Sequence, residues 1–335
     1  MATRAPIDVR ASVERVRKGG IPLRAVERLQ DEMGAAGSGP RLFTSDLSVN
    51  EFLLSRDAQC EPISQVMGSS IYHVGQIPDY KGKTSEITII SEGHRNSRRA
   101  ALHRLYEEAA LVGADAVIGV RLRDRMITMG SRGKGGDDGG EILEFTVVGT
   151  AVRAPWITHR PGEPVITDLT GQDLWALHRD GFEPCGFLFE FCRYHVWHVT
   201  KNTNFTTGEL DEASDAAVSA RDIAAKKLLK QASDCGAEFV VGSDMKLTMR
   251  EVPCGYGGCQ LDDLDVDVSW FGTGVRRIPG AVPHEHHMPP LILSMMPLGR
   301  RKGEQIDAES DEDDVKVAAE EAEEAALEAD EAASE

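Results

Sequence analysis

Aromatic residues are scarce in this chain, at 6% of 335 residues, and there are only six cysteines. So few thiols exclude a disulfide-stapled scaffold and predict a cytoplasmic protein with reduced cysteines. Long hydrophobic runs are also missing. The longest apolar stretch near an end is "MPPLILSMMPL", 288–298, well short of the ~20 residues that a membrane-spanning helix needs. The opening residues lack the apolar segment of a secretory signal. No basic excess exists to attract nucleic acid. Neither Gly-x-Ser-x-Gly nor His-Glu-x-x-His occurs. The glycine-rich stretch 130–140 fails as a phosphate loop, because Lys134 is followed by Gly135 and the next predicted element is a strand. These absences predict a non-enzymatic protein.

What charge there is lies at one end. The net charge is −18, and from Gly303 to Glu335 there are 15 acidic residues against one Lys, or −14. The body carries only the remaining −4. The end therefore reads as a disordered acidic tail, able to solubilise the chain or tether a protein partner. The basic cluster "HRNSRRAALHR", 94–104, reads as the solvated face of a helix.

The chain also repeats itself. At an offset of 122, Asp46-Leu47 falls on Asp168-Leu169, Glu61-Pro62 on Glu183-Pro184, and Tyr72-His73-Val74 on Tyr194-His195-Val196. After a one-residue slip, "GADAVIGV" at 113–120 meets "GAEFVVGS" at 236–243, and "VVGTAV" meets "WFGTGV". Such landmarks predict a tandem duplication. Each copy reads as a short helix opened by a capping-box spacing, then a strand, a long helix ending at Gly113 or Gly236, and a hairpin of two strands. The expected organisation is an N-terminal helical arm over 1–40, units over 41–157 and 163–280, and a His/Pro-containing linker with the acidic tail over 281–335. The arm splits into two helices at Gly19-Gly20-Ile21-Pro22.

Val112-Gly113-Ala114-Asp115-Ala116-Val117-Ile118-Gly119-Val120, followed by Gly149-Thr150-Ala151-Val152, resembles the signature of the YbjQ-like family, which carries a heavy-metal-binding label. The resemblance implies an α+β fold: two tandem dodecin-like units, each a long helix packed on an antiparallel sheet. It also implies a homo-oligomer, since members of that family form pentameric rings. An odd ring cannot be built from fused pairs in one layer, so the expectation is either two stacked layers or a ring unlike the family's.

The label invites a test of ligand chemistry. Zinc or a softer divalent ion wants three or four converging Cys and His side chains. No cysteine is shared between the copies: Cys60 aligns with Phe182, Cys185 with Ile63, Cys192 with Ser70 and Cys235 with Val112. In a regular strand, Cys185 and Cys192 are expected on opposite faces. The sharpest metal candidates are Cys254 and Cys259 in "CGYGGC", completed by His284, His286 and His287. His73 and His195 are the one imidazole pair at matched positions, so they are further ligand candidates, or strand histidines at a subunit seam. The leading expectation is a ring-forming binding or scaffold protein that self-associates, without membrane or nucleic-acid partners. The alternatives are an enzyme with an intersubunit site near Tyr72 and His73, or a weak metal buffer built on the Cys/His loops and the tail.

Overall fold

Positive backbone angles are rare for residues with side chains, and Gly19, at φ +91°, supplies one where the chain turns between its first two helices. These are α1 (Val9–Arg17), whose first turn is capped by the Asp8 carboxylate, and α2 (Leu23–Met33). The computed structural model describes residues 8–33, 44–45, 47–74, 83–128, 141–197, 209–252 and 263–281. The acidic tail, the glycine-rich loop and the predicted ligands Cys254, Cys259, His284, His286 and His287 lie outside the described residues.

The first half continues with α3 (Val49–Asp57), β1 (Glu61–Val74), a two-residue β2 (Ser85–Glu86), α4 (Thr88–Leu111), β3 (Ala116–Thr128) and β4 (Glu141–Arg153). The second half runs β5 (Val165–Ile166), α5 (Gly171–Arg179), β6 (Phe182–Val196), α6 (Asp211–Asp234), β7 (Phe239–Val252) and β8 (Asp263–Arg277). The fold is α+β, as expected. Both short helices open with complete capping boxes, Ser48 with Glu51 and Thr170 with Asp173. Both long helices are followed by a left-handed glycine, Gly113 (φ +69°) and Gly236 (φ +73°).

Two four-stranded sheets result, ordered β1-β4-β3-β5 and β2-β6-β8-β7. Bulges fall at matching places, between Pro62 and Ser64 in β1 and between Pro184 and Gly186 in β6. The small strands cross over. Before α4, Ser85 and Glu86 add to the edge of β6 at His195 and Tyr194, in the second sheet. From the connector, Val165 and Ile166 add in parallel to β3 in the first sheet. Each half thereby closes one edge of the other.

Helix α4 lies between the sheets. One side packs on its own sheet so closely that a Cβ at Gly68 would collide with the backbone of Ala101 and Leu105. Ala101, Leu105 and Ala109 bury there with Val66, Phe145 and Val147. Its other side meets the second sheet, so Phe189 and Phe191 of β6 join the same core. Helix α6 covers the far face of the second sheet, with Ala216, Ala220 and Ala224 against Cys192 and Val268. The order of layers is first sheet, α4, second sheet, α6.

Candidate functional site

The seam between α4 and the second sheet concentrates the chain's buried charge. Residues one helical turn apart project from one side of a helix, and on α4 His94 and Arg98 are such a pair. Arg98 is 1% exposed. Its guanidinium lies 3.8 Å from the ring centre of Phe189 and 4.7 Å from that of Phe145, donates to Ser269 Oγ at 3.0 Å, and pairs with Asp124 at 3.5 Å. Cation–π contact with these buried rings offsets part of the desolvation cost of the guanidinium. Burial pulls the Arg98 pKa down to about 9 against the pull of Asp124, so it remains charged at neutral pH. His94 stacks on Phe191, ring centres 3.7 Å apart. Burial first, then the charges of Arg98, Arg193 and Arg250, hold its imidazole well below the usual 6.5. The stretch 94–104 is thus corrected: it is not wholly a solvated face. His94 and Arg98 are core residues because a second sheet covers the side of α4 on which they project.

A second cluster follows along β6. Arg193, 0% exposed, donates through Nε and Nη2 to the two oxygens of Asp267, at 2.6 and 2.7 Å, and through Nη1 to Glu141 at 2.7 Å. Burial lowers its pKa, but the bonds to Asp267 and the surrounding carboxylates outweigh that and raise it. His195 is buried beside it, with Nδ1 2.8 Å from Asp265 and Nε2 3.7 Å from Asp263. Arg250 of β7 bridges Asp265 at 3.1 Å and Glu141 at 3.4 Å. Burial pushes the Asp265 pKa up; the bond with His195 and the charges of Arg193 and Arg250 overcome this and hold it below the usual carboxylate range. Glu141 opens β4, so this network ties the two halves. Arg95–Glu190 at 3.0 Å and Lys227–Glu86 at 2.9 Å tie them again.

The two histidines matched in sequence therefore stand in opposite surroundings. His195 is in the seam, whereas His73 lies exposed on β1 opposite Ile142. Sequence reasoning missed Arg98, Arg193 and the carboxylates they neutralise. The one available signal was that Arg193 replaces Ile71 at the repeat offset, in a strand otherwise rich in phenylalanine. The second miss concerns cysteine. Cys185 is the bulge residue of β6, and the bulge breaks the alternation on which the opposite-face expectation rested. Both Cys185 and Cys192 turn toward α6, where Cys185 meets Cys235 with sulfurs 3.4 Å apart.

Among the described residues no group of three or more His, Cys, Asp and Glu is placed to hold a metal ion. Glu141, Asp265 and Asp267 are taken up by Arg193 and Arg250, so these carboxylates do not fit a metal centre. No helix among them is long and apolar enough to cross a membrane.

Fold and seam define an α+β protein whose two helix-on-sheet halves are locked by an aromatic and ionic layer. Residues 80–155 match the YbjQ_1 family model, described as "Putative heavy-metal-binding". The chain is 36% identical over 208 residues, 60% of its own length and 76% of the relative's, to the "Encapsulin nanocompartment protein Rv1762c" of Mycobacterium tuberculosis (strain ATCC 25618 / H37Rv). It belongs to the family of that mycobacterial protein. No solved structure matches the chain.

Proposed function

We propose that this chain is a non-enzymatic scaffold that assembles head to tail through a repeat of its own internal seam. The two halves are, on this reading, copies of one unit. The carrying observation is that the face buried on β6 is bare on β1. Phe189, Phe191 and Arg193 lie under α4 and His195 is buried beside them; their counterparts Met67, Ser69, Ile71 and His73 are exposed, Ile71 at 76%. At the other end of the molecule the helix side that would cover such a face is partly open, with Ser214 and Ala217 half-buried and Arg221 exposed. Ser91, His94 and Arg98 of α4 correspond to Ser214, Ala217 and Arg221 of α6, and next to them Val218 is 47% exposed. Met245, Leu247 and Met249 of β7 extend this apolar end.

The occupant fitted to both surfaces is a second copy of the chain. Within one molecule a helix side already covers a sheet face, so the partly open helix side of one copy and the bare sheet face of the next would continue the same contact. A heterologous contact of this kind closes into a ring or runs on as a filament, and an isolated apolar patch on each end is what such a contact requires. Because the halves meet side by side, a ring would hold an even number of units. That supports the ring unlike the family's over two stacked layers. The relative's name supports placing the assembly with an encapsulin-type compartment, and the acidic tail would then serve as a tethering arm.

Native mass spectrometry tests the reading. Wild type is expected as a multiple of the chain mass, and Ile71→Glu or Val218→Glu alone, each at an exposed site, should return it to single chains with an unchanged circular dichroism spectrum. A single-chain mass for wild type would overturn it.

A further inference from the structure

Two cysteines fifty residues apart meet in the second half, and nothing in the family signature calls for them. Cys185 is pushed out of the β6 ladder by the bulge, and Cys235 is the C-cap of α6. Their sulfurs are 3.4 Å apart and both are partly accessible. Gly274 on β8 leaves the room they need, since a Cβ there would stand 3.2 Å from each sulfur. The corresponding residues of the first half are Ile63 and Val112, both buried in its apolar core. A contact that could be filled by ordinary hydrocarbon is here made of two thiols.

The thiols also differ from one another and from their fellows. Either thiol can donate to the other, and the Cys235 thiol also reaches the Ala232 carbonyl at 3.2 Å. With Cys185 as the donor, its bond is the first cause of the Cys235 pKa falling to about 6 despite burial; backbone N–H groups at Ala237 and Cys235 and the charge of Arg276 add to it. The same bond raises Cys185. Cys60 and Cys192 are fully buried, and burial pushes each up to about 12. A thiolate that is partly accessible and has a thiol in contact with it is the arrangement that redox-active dithiols share.

We infer that Cys185 and Cys235 form a redox-active dithiol that reduces hydroperoxides and closes reversibly to a disulfide. The Cys235 thiolate attacks the terminal peroxide oxygen, the O–O bond breaks, and the hydroxide released from hydrogen peroxide, or the alkoxide from an organic hydroperoxide, takes up a proton to leave as water or alcohol. Cys235 is then a sulfenic acid. The Cys185 sulfur attacks the Cys235 sulfur, the S–S bond forms as the S–O bond breaks, and the hydroxyl leaves as water with the Cys185 proton. Two electrons have passed from two thiols to one peroxide, and a dithiol reductant returns them. Closing the pair from 3.4 Å to a bonded ~2.0 Å requires a small shift, which the irregular bulge and the helix end can absorb.

The test uses the full chain with Cys254→Ser and Cys259→Ser, treated with hydrogen peroxide and mapped by mass spectrometry. The expected product has lost two hydrogens, yields a Cys185–Cys235 linked peptide, and is restored by dithiothreitol. In Cys185→Ser, which keeps a hydrogen-bond donor, Cys235 should trap dimedone as a sulfenic acid about a hundred-fold faster than Cys192. In Cys235→Ser, Cys185 should not. The variant Cys185→Ile/Cys235→Val copies the first half and should keep the same circular dichroism spectrum while losing the peroxide response. Absence of the linked peptide, or dimedone labelling of Cys235 no faster than of Cys60 and Cys192, would overturn the inference.

Discussion

The face of β1 turned away from α4 and the face of β6 turned toward it hold matched positions at the repeat offset, yet one is surface and the other core. On β6 it carries Phe189, Phe191 and Arg193; on β1 it carries Met67, Ser69 and Ile71. The difference lies in what each face meets. Arg98 and His94 of α4 present charge and a flat ring, and β6 answers with phenylalanines and a guanidinium tied to carboxylates. The corresponding side of α6 offers Ala217 and Val218, which match the aliphatic face of β1 in kind. The internal seam is aromatic and ionic, and the proposed external one is aliphatic. Such a division would let each helix recognise only its own sheet face.

The comparison breaks most sharply at Arg193. Replacing it with methionine leaves Asp267 without its guanidinium and Glu141 with Arg250 alone, a change expected to cost about 3–5 kcal/mol. The matched change Ile71→Met should be nearly neutral for folding. Urea unfolding of the two variants at equal concentration measures the contrast. Next comes Phe189→Ala, which opens a cavity under Arg98 and should cost about 3–5 kcal/mol at any protein concentration. Its counterpart Met67→Ala should cost stability only as far as assembly is lost, so its unfolding midpoint should depend on concentration. The smallest effect concerns pH. The folded protein resists protonating His94, while the unfolded chain accepts a proton near 6.5. The contribution of His94 is therefore complete above about 6.5 and declines as pH falls below it. His94→Phe keeps the stack on Phe191 and should flatten the difference in unfolding midpoint between pH 7 and pH 5 relative to wild type.

Much of the frame was legible in the sequence because its determinants are local. Ser48 and Thr170 mark helix starts, Gly113 and Gly236 mark helix ends, and the residues between them have the periodicity of their elements. The seam was not legible in this way. Arg98 reads as solvated because a run of arginines on a helix carries no sign of what lies opposite, and its partners Ser269 and Phe189 are far away in the chain. His73 and His195 match in sequence, but burial belongs to the neighbour that covers a strand and not to the strand itself. Strict alternation puts Cys185 and Cys192 on opposite faces, and the bulge beside Pro184 cancels that alternation. Of the candidate ligands, Cys254, Cys259, His284, His286 and His287 lie outside the described residues, His195 is hydrogen-bonded to Asp265, and His73 lies exposed on β1.

The central claim is that α6 of one copy covers β1 of another as α4 covers β6. The stacked contact of His94 with Phe191 corresponds, across that boundary, to Ala217 against Ser69. Two variants, Ser69→Cys and Ala217→Cys, can be co-expressed with distinct tags in a Cys254→Ser/Cys259→Ser background and oxidised under mild conditions. A covalent pair joining one of each, through residues 69 and 217, is the predicted product. Pairs of like variants alone, or no pair between chains, would contradict the account.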